Sequence, residues 1–313
     1  MAKVIVTRAI PGPAMQQLVE RHDVSVWPGE LAPAAEQLRE LVASADGLLC
    51  TSADRIDEQL LDAAPRLRAI ATYAVGSDNI DLAAAAARAI PVGVTPDVLT
   101  DATADIAIGL LLSVARRLRE AEAAVRAGKW GPWTPQAWLG ADLNGARLLI
   151  VGAGRIGRAT ARRAQAFGME IAFAGRDDDL PSLLADADVV SLHTPLTPAT
   201  ERMIDRAALA AMKRGAILIN TGRGRLVDQE GLREALVSGQ LGGAGLDVTD
   251  PEPLPADAPL LQAPNLVVLP HIGSATHATR EGMTRLAVAN LLAALDGQPM
   301  PHPAPAPVSA SHA

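Results

Sequence analysis

The sequence alternates short apolar runs, rich in β-branched residues, with alanine-rich stretches in which apolar residues recur at spacings of three and four. In the first hundred residues, five such runs predict strands over residues 4–7, 24–27, 47–51, 69–73 and 92–95. The stretches between these runs predict helices. Strict alternation of strand and helix is typical of a parallel sheet that helices cover on both faces.

A second alternating series follows a long predicted helix, residues 103–126, and an irregular segment, residues 128–144, that contains three Trp and two Pro. Its six predicted strands span residues 148–151, 170–174, 189–193, 216–220, 245–248 and 266–269. Six strands with helices between them match a doubly wound dinucleotide-binding sheet. A last helix is predicted over residues 275–295. The tail from Gly297, with five Pro in its final fifteen residues, is predicted to be poorly ordered.

Five strands followed by six predict two α/β domains, each with a doubly wound parallel sheet, rather than one sheet of eleven strands. We place the chain crossings near residues 96–101 and 277–282. The prediction is a flavodoxin-like substrate domain of residues 1–97 and 281–313, and a Rossmann cofactor domain of residues 98–280, with an active-site cleft between them. A chain of 313 residues fits two domains, at ~100–200 residues each.

The composition of the chain disfavours several kinds of binding partner and site. A net charge of −7 and an aromatic content of 2% disfavour nucleic acid and an anionic membrane surface as partners. No apolar run is long enough to predict a membrane-spanning helix. One cysteine, Cys50, and six dispersed His predict neither a disulfide nor a metal site. We therefore expect a cytoplasmic protein, since a single cysteine fits a reducing compartment.

The segment Gly152-Ala153-Gly154-Arg155-Ile156-Gly157 follows a predicted strand and opens a predicted helix. In a dinucleotide-binding turn the first Gly makes the tight turn. The second lets the pyrophosphate approach the backbone, and the third allows the helix to pack closely on the strand. The helix N-terminus then offers free N–H groups to the phosphates. Strand, motif and helix in this order predict a dinucleotide site rather than a purely structural glycine turn.

The end of the next predicted strand bears on which dinucleotide binds. NAD-binding versions place an acid there, ~20 residues beyond the glycine motif, to accept the ribose hydroxyls. Here that strand ends in Gly175-Arg176, and a guanidinium attracts a 2′-phosphate. The alternative is that Arg176 is only a solvated cation that pairs with Asp177, Asp178 or Asp179. We expect NADPH as the cofactor, with NADH possible.

Three neighbouring strand ends are followed by Arg223, Glu252 and His271, and ligands of an open parallel sheet lie at that edge. This set suits the reduction of a 2-keto acid. Arg223 would bind the carboxylate and polarise the keto oxygen. His271, kept protonated by Glu252, would donate a proton to that oxygen as hydride reaches the carbon. Each residue also has a structural alternative: a turn cap, an exposed turn acid and a satisfied strand-end histidine, respectively.

His193 also ends a strand and competes for the role of acid. No carboxylate follows it in its loop, so we place it in the lining of the cofactor cleft.

These segments resemble the D-isomer-specific 2-hydroxyacid dehydrogenase family over nearly the whole chain, from Val4 to Met300. The resemblance is carried, in the family's order, by residues 75–81, 95–101, 152–157, 191–197, 220–224 and 270–274. Within the family, residues 244–255 and 271–277 are most similar to glyoxylate/hydroxypyruvate reductases. The usual Asn-Thr-Ala-Arg-Gly motif reads Asn-Thr-Gly-Arg-Gly here, with Gly222 in third place.

The resemblance implies the same catalytic set. It implies substrate contacts from the Val75 and Gly76 amides, from Ser274, and from Trp138 on an arm that can enter a dimer partner's cleft; Trp130 and Trp133 are alternatives. The motif analysis and the resemblance together predict the following cofactor contacts: Thr103, Gly152, Gly154, Arg155, Ile156, Gly157, Gly175, Arg176, His193, Pro195, Thr221, Asp247 and Gly273. Because family members are usually dimeric through the cofactor domain, we expect a homodimer.

The leading functional prediction is NADPH-preferring reduction of glyoxylate to glycolate and of hydroxypyruvate to D-glycerate. One alternative is another 2-keto acid, such as 2-ketogluconate, because the loop at residues 51–55 and the Trp arm would set substrate size. A second alternative, from a different class, is a dinucleotide-sensing protein similar to a corepressor. Retention of Arg223, Glu252 and His271 together favours an enzyme.

Overall fold

The computed structural model describes residues 1–306, and the chain divides into two compact units. The first unit comprises Met1–Leu99 and Ala275–Ala313, and the second comprises Thr100–Ser274. The first division falls inside the expected stretch, residues 96–101. The second falls two residues before the expected stretch, residues 277–282.

The first unit begins with five strands and four helices in alternation. They are β1 (Lys3–Val6), α1 (Ala14–Arg21), β2 (Asp23–Val26), α2 (Ala35–Val42), β3 (Gly47–Cys50), α3 (Glu58–Asp62), β4 (Ala69–Thr72), α4 (Leu82–Ala87) and β5 (Val92–Gly93). All pairings are parallel, in the order β2-β1-β3-β4-β5. This is the flavodoxin-like order, which confirms the prediction. The central strands β3 and β4 are buried throughout, as expected for a sheet covered on both faces.

The second unit starts with two helices and continues into a six-stranded parallel sheet. Its elements are α5 (Thr100–Ala115), α6 (Leu118–Arg126), β6 (Arg147–Val151), α7 (Arg155–Gln165), β7 (Glu170–Ala174), α8 (Leu180–Asp186), β8 (Val189–Leu192), α9 (Arg206–Ala211), β9 (Ala216–Asn220), α10 (Gln229–Val237), β10 (Leu241–Leu246) and β11 (Leu266–Val268). The sheet order is β11-β10-β9-β8-β6-β7. Strands β7 and β8 lie on opposite sides of β6, so the switch point expected to bind a ligand is at the end of β6.

The single long helix predicted over residues 103–126 is wrong, because the structure breaks it into α5 and α6. Arg117 takes a left-handed conformation, with φ 51°. The carbonyl of Ala115, at the end of α5, accepts a hydrogen bond of 2.8 Å from the amide of Ala141 instead of continuing a helical ladder. Helix α5 is largely buried, whereas α6 buries no residue.

The last helix, α11 (His277–Leu295), belongs to the first unit, and the tail after it covers the edge of β5. The Asn290 side chain donates to Val94 O (2.9 Å) and accepts from the His302 amide (2.8 Å). The Ala304 amide donates to Val92 O (2.7 Å). The prediction of a poorly ordered tail is therefore wrong up to Ala304, and residues 307–313 lie outside the described residues.

None of the helices within residues 1–306 combines the length and the apolar character that crossing a membrane requires.

Candidate active site

Two glycines of the motif after β6 are fixed by close backbone packing. Gly152 has φ +101°, and a Cβ atom there would lie 2.7 Å from the His193 carbonyl group. A Cβ atom at Gly157 would lie 2.2 Å from Gly152 O. Both positions therefore need glycine to bring the start of α7 against the sheet.

Gly154 is a different case, because a Cβ atom there would meet no atom within 4 Å. The residue is exposed, and it begins α7 without a side-chain cap. Amides of a first helical turn have no partner within the helix and attract anions. The turn therefore fits a pyrophosphate, which needs open space beside the backbone at this position.

The loop after β7 holds Gly175 and Arg176 next to this turn. The registers of β6 and β7 pair Val151 with Ala174, and the Gly152 amide donates to Ala174 O (2.9 Å). The Gly175 amide donates to the Asp178 carboxylate (2.7 Å). Arg176 is exposed and forms no ion pair with any acid in residues 1–306, so the pairing considered for it with Asp177, Asp178 or Asp179 does not occur there.

His193 follows β8 and lies against the first glycine of the motif. Its Nε2 is 2.8 Å from Ser191 Oγ, and its Nδ1 is 3.5 Å from Thr221 Oγ1. Burial lowers the pKa of His193 to about 4, so the imidazole is neutral at pH 7. A neutral imidazole is a poor proton donor, which agrees with its exclusion as the acid. Nearby, the Pro195 carbonyl accepts from Thr200 Oγ1 (2.7 Å).

This depressed pKa predicts a pH-dependent stability. Unfolded, the imidazole titrates near 6.5, so below that pH the unfolded chain binds a proton that the folded chain binds only near pH 4. The neutral His193 therefore contributes about 3 kcal/mol to the free energy of unfolding. This contribution is complete above pH 6.5 and is lost as the pH falls from 6.5 to 4. Between pH 7 and pH 4.5, the free energy of unfolding measured with urea should fall more for the wild type than for His193→Gln. An equal fall in the two proteins would contradict the lowered pKa of His193.

The Glu252–His271 pair is formed as predicted from the sequence pattern. His271 Nδ1 lies 2.9 Å from Glu252 Oε1, and the two side chains are 38% and 39% exposed. An Nδ1 that bonds a carboxylate leaves Nε2 to face a ligand, because the two ring nitrogens point in different directions. The pair thus has the arrangement of a proton donor oriented by an acid.

Asp247, at the end of β10, fixes the loop that carries His271. Its two carboxylate oxygens accept from the amides of Ile272 (2.8 Å) and Gly273 (2.7 Å), and its carbonyl accepts from the amide of His271 (2.9 Å). The residue is 1% exposed, and burial raises its pKa while the two amide hydrogen bonds oppose that rise. Thr103 Oγ1 donates to Gly273 O (3.2 Å) from the first turn of α5.

The family resemblance implied a cofactor contact for Asp247 and did not indicate this role in positioning. The signal available was an acid directly after a buried strand and 24 residues before His271. Nothing in that spacing says that the carboxylate binds the backbone of the histidine loop.

Arg223 is held in an extended conformation by its own loop. Asn220 Nδ2 donates to Arg223 O (2.8 Å), and the Gly222 amide donates to Asn220 Oδ1 (2.9 Å). A Cβ atom at Gly224 would lie 2.0 Å from Thr249 O, so glycine is needed for the loop after β9 to lie against the loop after β10. One of the five guanidinium donors, on Nη1, bonds Gly222 O (2.9 Å).

The loop that carries Glu252 is tied to α10 by a residue that the sequence did not single out. Gln229 Oε1 accepts from the Asp250 amide (3.0 Å), and Gln229 Nε2 donates to Asp250 O. Thr249 Oγ1 donates to Pro251 O (2.9 Å). Gln229 and Thr249 thus hold both ends of the turn before Glu252.

The remaining predicted residues are the substrate contacts that the family resemblance implies. Val75 and Gly76 follow β4 in the first unit, and neither amide donates a hydrogen bond to another residue within 1–306. Ser274 ends the second unit and is half-buried. Trp138 lies in the segment after α6, 45% exposed, with the Arg117 guanidinium 5.8 Å from its ring centre.

Comparison with known proteins decides the family. The model of the D-isomer specific 2-hydroxyacid dehydrogenase NAD-binding domain matches residues 108–273. The chain is 45% identical to the glyoxylate reductase of Korarchaeum cryptofilum, over 96% of this chain and 95% of that protein. The chain belongs to the D-isomer-specific 2-hydroxyacid dehydrogenase family.

Two solved structures are similar to this chain over nearly all of its length. The TT0316 protein of Thermus thermophilus is 52% identical, with a TM-score of 0.90 over 96% of this chain and 99% of that one. The NADPH-dependent glyoxylate/hydroxypyruvate reductase of Sinorhizobium meliloti, solved with NADP and malonate, is 34% identical, with a TM-score of 0.83 over 96% of each chain.

As a D-2-hydroxyacid dehydrogenase, the chain is an NAD(P)-dependent oxidoreductase that acts on small 2-keto or 2-hydroxy acids. These comparisons confirm three predictions from the sequence: the family, the enzymatic nature of the chain, and a nicotinamide dinucleotide as its cofactor. In the second unit, Arg223, Glu252 and His271 follow β9, β10 and β11, at the carboxyl edge of the sheet that also carries the glycine motif.

Proposed function

We propose that this chain reduces glyoxylate and hydroxypyruvate with NADPH, giving glycolate and D-glycerate. The observation that carries the proposal is the 2.9 Å pair of His271 Nδ1 and Glu252 Oε1, with Arg223 on the adjoining loop. The relatives in Korarchaeum cryptofilum and Sinorhizobium meliloti bear the names glyoxylate reductase and glyoxylate/hydroxypyruvate reductase, which supports these substrates.

In this proposal the protein's own groups handle charge and protons, while the bound nicotinamide supplies the hydride. Arg223 binds the substrate carboxylate, for which a planar guanidinium is suited. His271 donates the Nε2 proton to the keto oxygen, which becomes the hydroxyl of the product. Glu252 orients the ring through its contact with Nδ1, so that Nε2 faces the substrate. Asp247 positions the loop so that the imidazole reaches the oxygen.

The residues given to the substrate by family resemblance stay predictions: the Val75 and Gly76 amides, Ser274 and Trp138. The lack of a hydrogen-bond acceptor for the two amides within residues 1–306 supports their part in binding a carboxylate.

A preference for NADPH is supported by Arg176. It is exposed beside the glycine motif and unpaired within residues 1–306, and it follows Gly175, which holds the position of the acid in NAD-binding chains. The S. meliloti relative, described as NADPH-dependent, points the same way.

The variant Arg176→Glu tests this preference. Losing a charge-assisted hydrogen bond and adding a like charge should raise the Kd for NADPH roughly 10- to 100-fold. The Kd for NADH should change less than about threefold, because NADH lacks the 2′-phosphate. Both values follow from fluorescence titration. Equal losses for the two cofactors would remove Arg176 from the phosphate site.

We also propose that the chain is a homodimer through its second unit. Helix α6 buries no residue and exposes Leu118 and Val125, and the segment that follows it in the chain exposes Trp130, Trp133 and Leu139. Exposed apolar side chains of this number in one region are typical of an interface. The cytoplasmic location expected from the sequence stays a prediction.

Product analysis tests the substrate assignment. Incubation with hydroxypyruvate and NADPH should yield D-glycerate, separated from its L enantiomer by chiral chromatography. Under the same conditions 2-ketogluconate should be reduced at least tenfold less efficiently, measured as kcat/KM. Faster reduction of 2-ketogluconate would favour the sugar-acid alternative.

A further inference from the structure

Arg158, on the first turn of α7, spans the ends of two neighbouring strands. Its Nε donates to Ala153 O (2.8 Å), inside the glycine motif that follows β6. Its guanidinium carbon lies 5.8 Å from the centre of the Phe173 ring, on β7 and two residues before Gly175. One hydrogen bond and one ring contact therefore hold the group at the junction of the two loops.

The charge of Arg158 is uncompensated by any acid in residues 1–306. The residue is exposed, and it enters no ion pair there. Arg163, five residues along the same helix, instead pairs with Asp101 (3.0 Å) and Asp105 (2.6 Å). Arg163 thus has a structural role in ion pairs, whereas Arg158 lies beside the glycine motif without one among the described residues.

Phe173 also needs an explanation, since it is 39% exposed on the edge strand β7. Its neighbour in the chain, Ala174, is buried in the core of the unit. An aromatic ring on this exposed face forms a platform that orients a guanidinium while its remaining N–H donors stay available.

We propose that Arg158 is a second specificity-determining residue for NADPH, which binds the 2′-phosphate together with Arg176. In a dinucleotide-binding sheet the adenine-side ribose lies at the end of the second strand, where the acid of NAD-binding proteins accepts the 2′-hydroxyl. Arg158 approaches this place from the glycine motif and Arg176 from the loop after β7. Two guanidinium groups balance the two negative charges of a phosphate monoester better than one.

This inference rests on the proposed NADPH preference and goes beyond it, because Arg176 alone would account for that preference. The proposal also explains why Phe173 is exposed. It assigns the ring the task of holding Arg158 in place.

The test is equilibrium binding of three probes: NADPH, NADH and adenosine 2′,5′-bisphosphate, which carries the 2′-phosphate without a nicotinamide. Arg158→Gln should raise the Kd of NADPH and of the bisphosphate roughly tenfold or more, and that of NADH less than about threefold. Arg162→Gln is the matched control, because it removes the same charge from an exposed position one turn further along α7 and should change none of the three. Arg158→Lys should recover only part of the loss, since an ammonium lacks the planar group that bonds Ala153 O through Nε and lies over the Phe173 ring.

The outcomes separate this inference from the proposed function. If the wild type prefers NADPH and Arg158→Gln retains the full preference, or weakens NADPH and NADH equally, the role of Arg158 is overturned and the proposed function stands. If the wild type binds NADH as tightly as NADPH and does not bind the bisphosphate, the role of Arg158 and the proposed NADPH preference both fail, while the reduction of keto acids is tested separately by turnover. Phe173→Leu is a second variant, which removes the ring and keeps the arginine. It should raise the Kd of the bisphosphate less than Arg158→Gln does, and its Tm without ligand should equal that of the wild type.

Discussion

His271→Ala should lose turnover of keto acid by roughly 10²- to 10⁴-fold in kcat, the range that a positioned general acid contributes. The reason is geometric: the carboxylate of Glu252 lies 2.9 Å from His271 Nδ1 and orients the imidazole. The Kd for NADPH should stay within about twofold, because the ring is assigned to the substrate oxygen. Steady-state kinetics and fluorescence titration give the two quantities.

His277→Ala is the matched control, since His277 is an exposed histidine six residues further on, at the start of α11. It should retain wild-type turnover. Glu252→Gln keeps a hydrogen-bond acceptor without the charge, and its kcat should lie between those of the wild type and His271→Ala. A His271→Ala enzyme with more than about a tenth of wild-type kcat would rule out the imidazole as the acid.

Gly154→Val should abolish dinucleotide binding while leaving the fold intact. A Cβ atom at this position meets no protein atom within 4 Å, and the backbone, at φ −72° and ψ −171°, suits a β-branched residue. The added side chain would fill the space in which a pyrophosphate approaches the backbone, so Kd should rise about 100-fold or more. Calorimetry or fluorescence gives Kd, and thermal unfolding should show an unchanged Tm.

Gly157→Ala provides the contrast, because its Cβ would lie 2.2 Å from Gly152 O. Forcing this contact should destabilise the fold, by about 1–3 kcal/mol. If Gly154→Val lost stability as Gly157→Ala does, or bound NADPH as the wild type does, the assignment of the open space to the pyrophosphate would be wrong.

The strands and the glycine motif could be predicted from the sequence because local rules fix them. A strand that is covered on both faces must be apolar along its whole length, so β3, β8 and β9 are visible as apolar runs. Gly157 is required by a backbone contact with Gly152 O, five residues away, and Gly152 by its positive φ of +101°, which gives the motif its fixed spacing. Arg223, Glu252 and His271 could be grouped because parallel strands end at one edge.

The features that sequence reasoning missed depend on contacts between distant segments. The end of α5 is set by the Ala141 amide, 26 residues beyond the carbonyl of Ala115 that it bonds. Asp247 and Gln229 each act on the backbone of a loop 21 to 26 residues away. The tail is ordered to Ala304 by Asn290 and by the edge of β5, although its proline content resembles that of a free end. No local pattern marks such pairings.

The most direct measurement of the central claim is steady-state reduction of glyoxylate and hydroxypyruvate, with NADPH and NADH in parallel, followed by nicotinamide absorbance. We expect rapid turnover of both acids, with kcat/KM at least tenfold higher for NADPH. Rapid turnover that favours NADH would preserve the chemistry of His271 and contradict the role of Arg176. No turnover of either acid with either cofactor would contradict the proposed substrates.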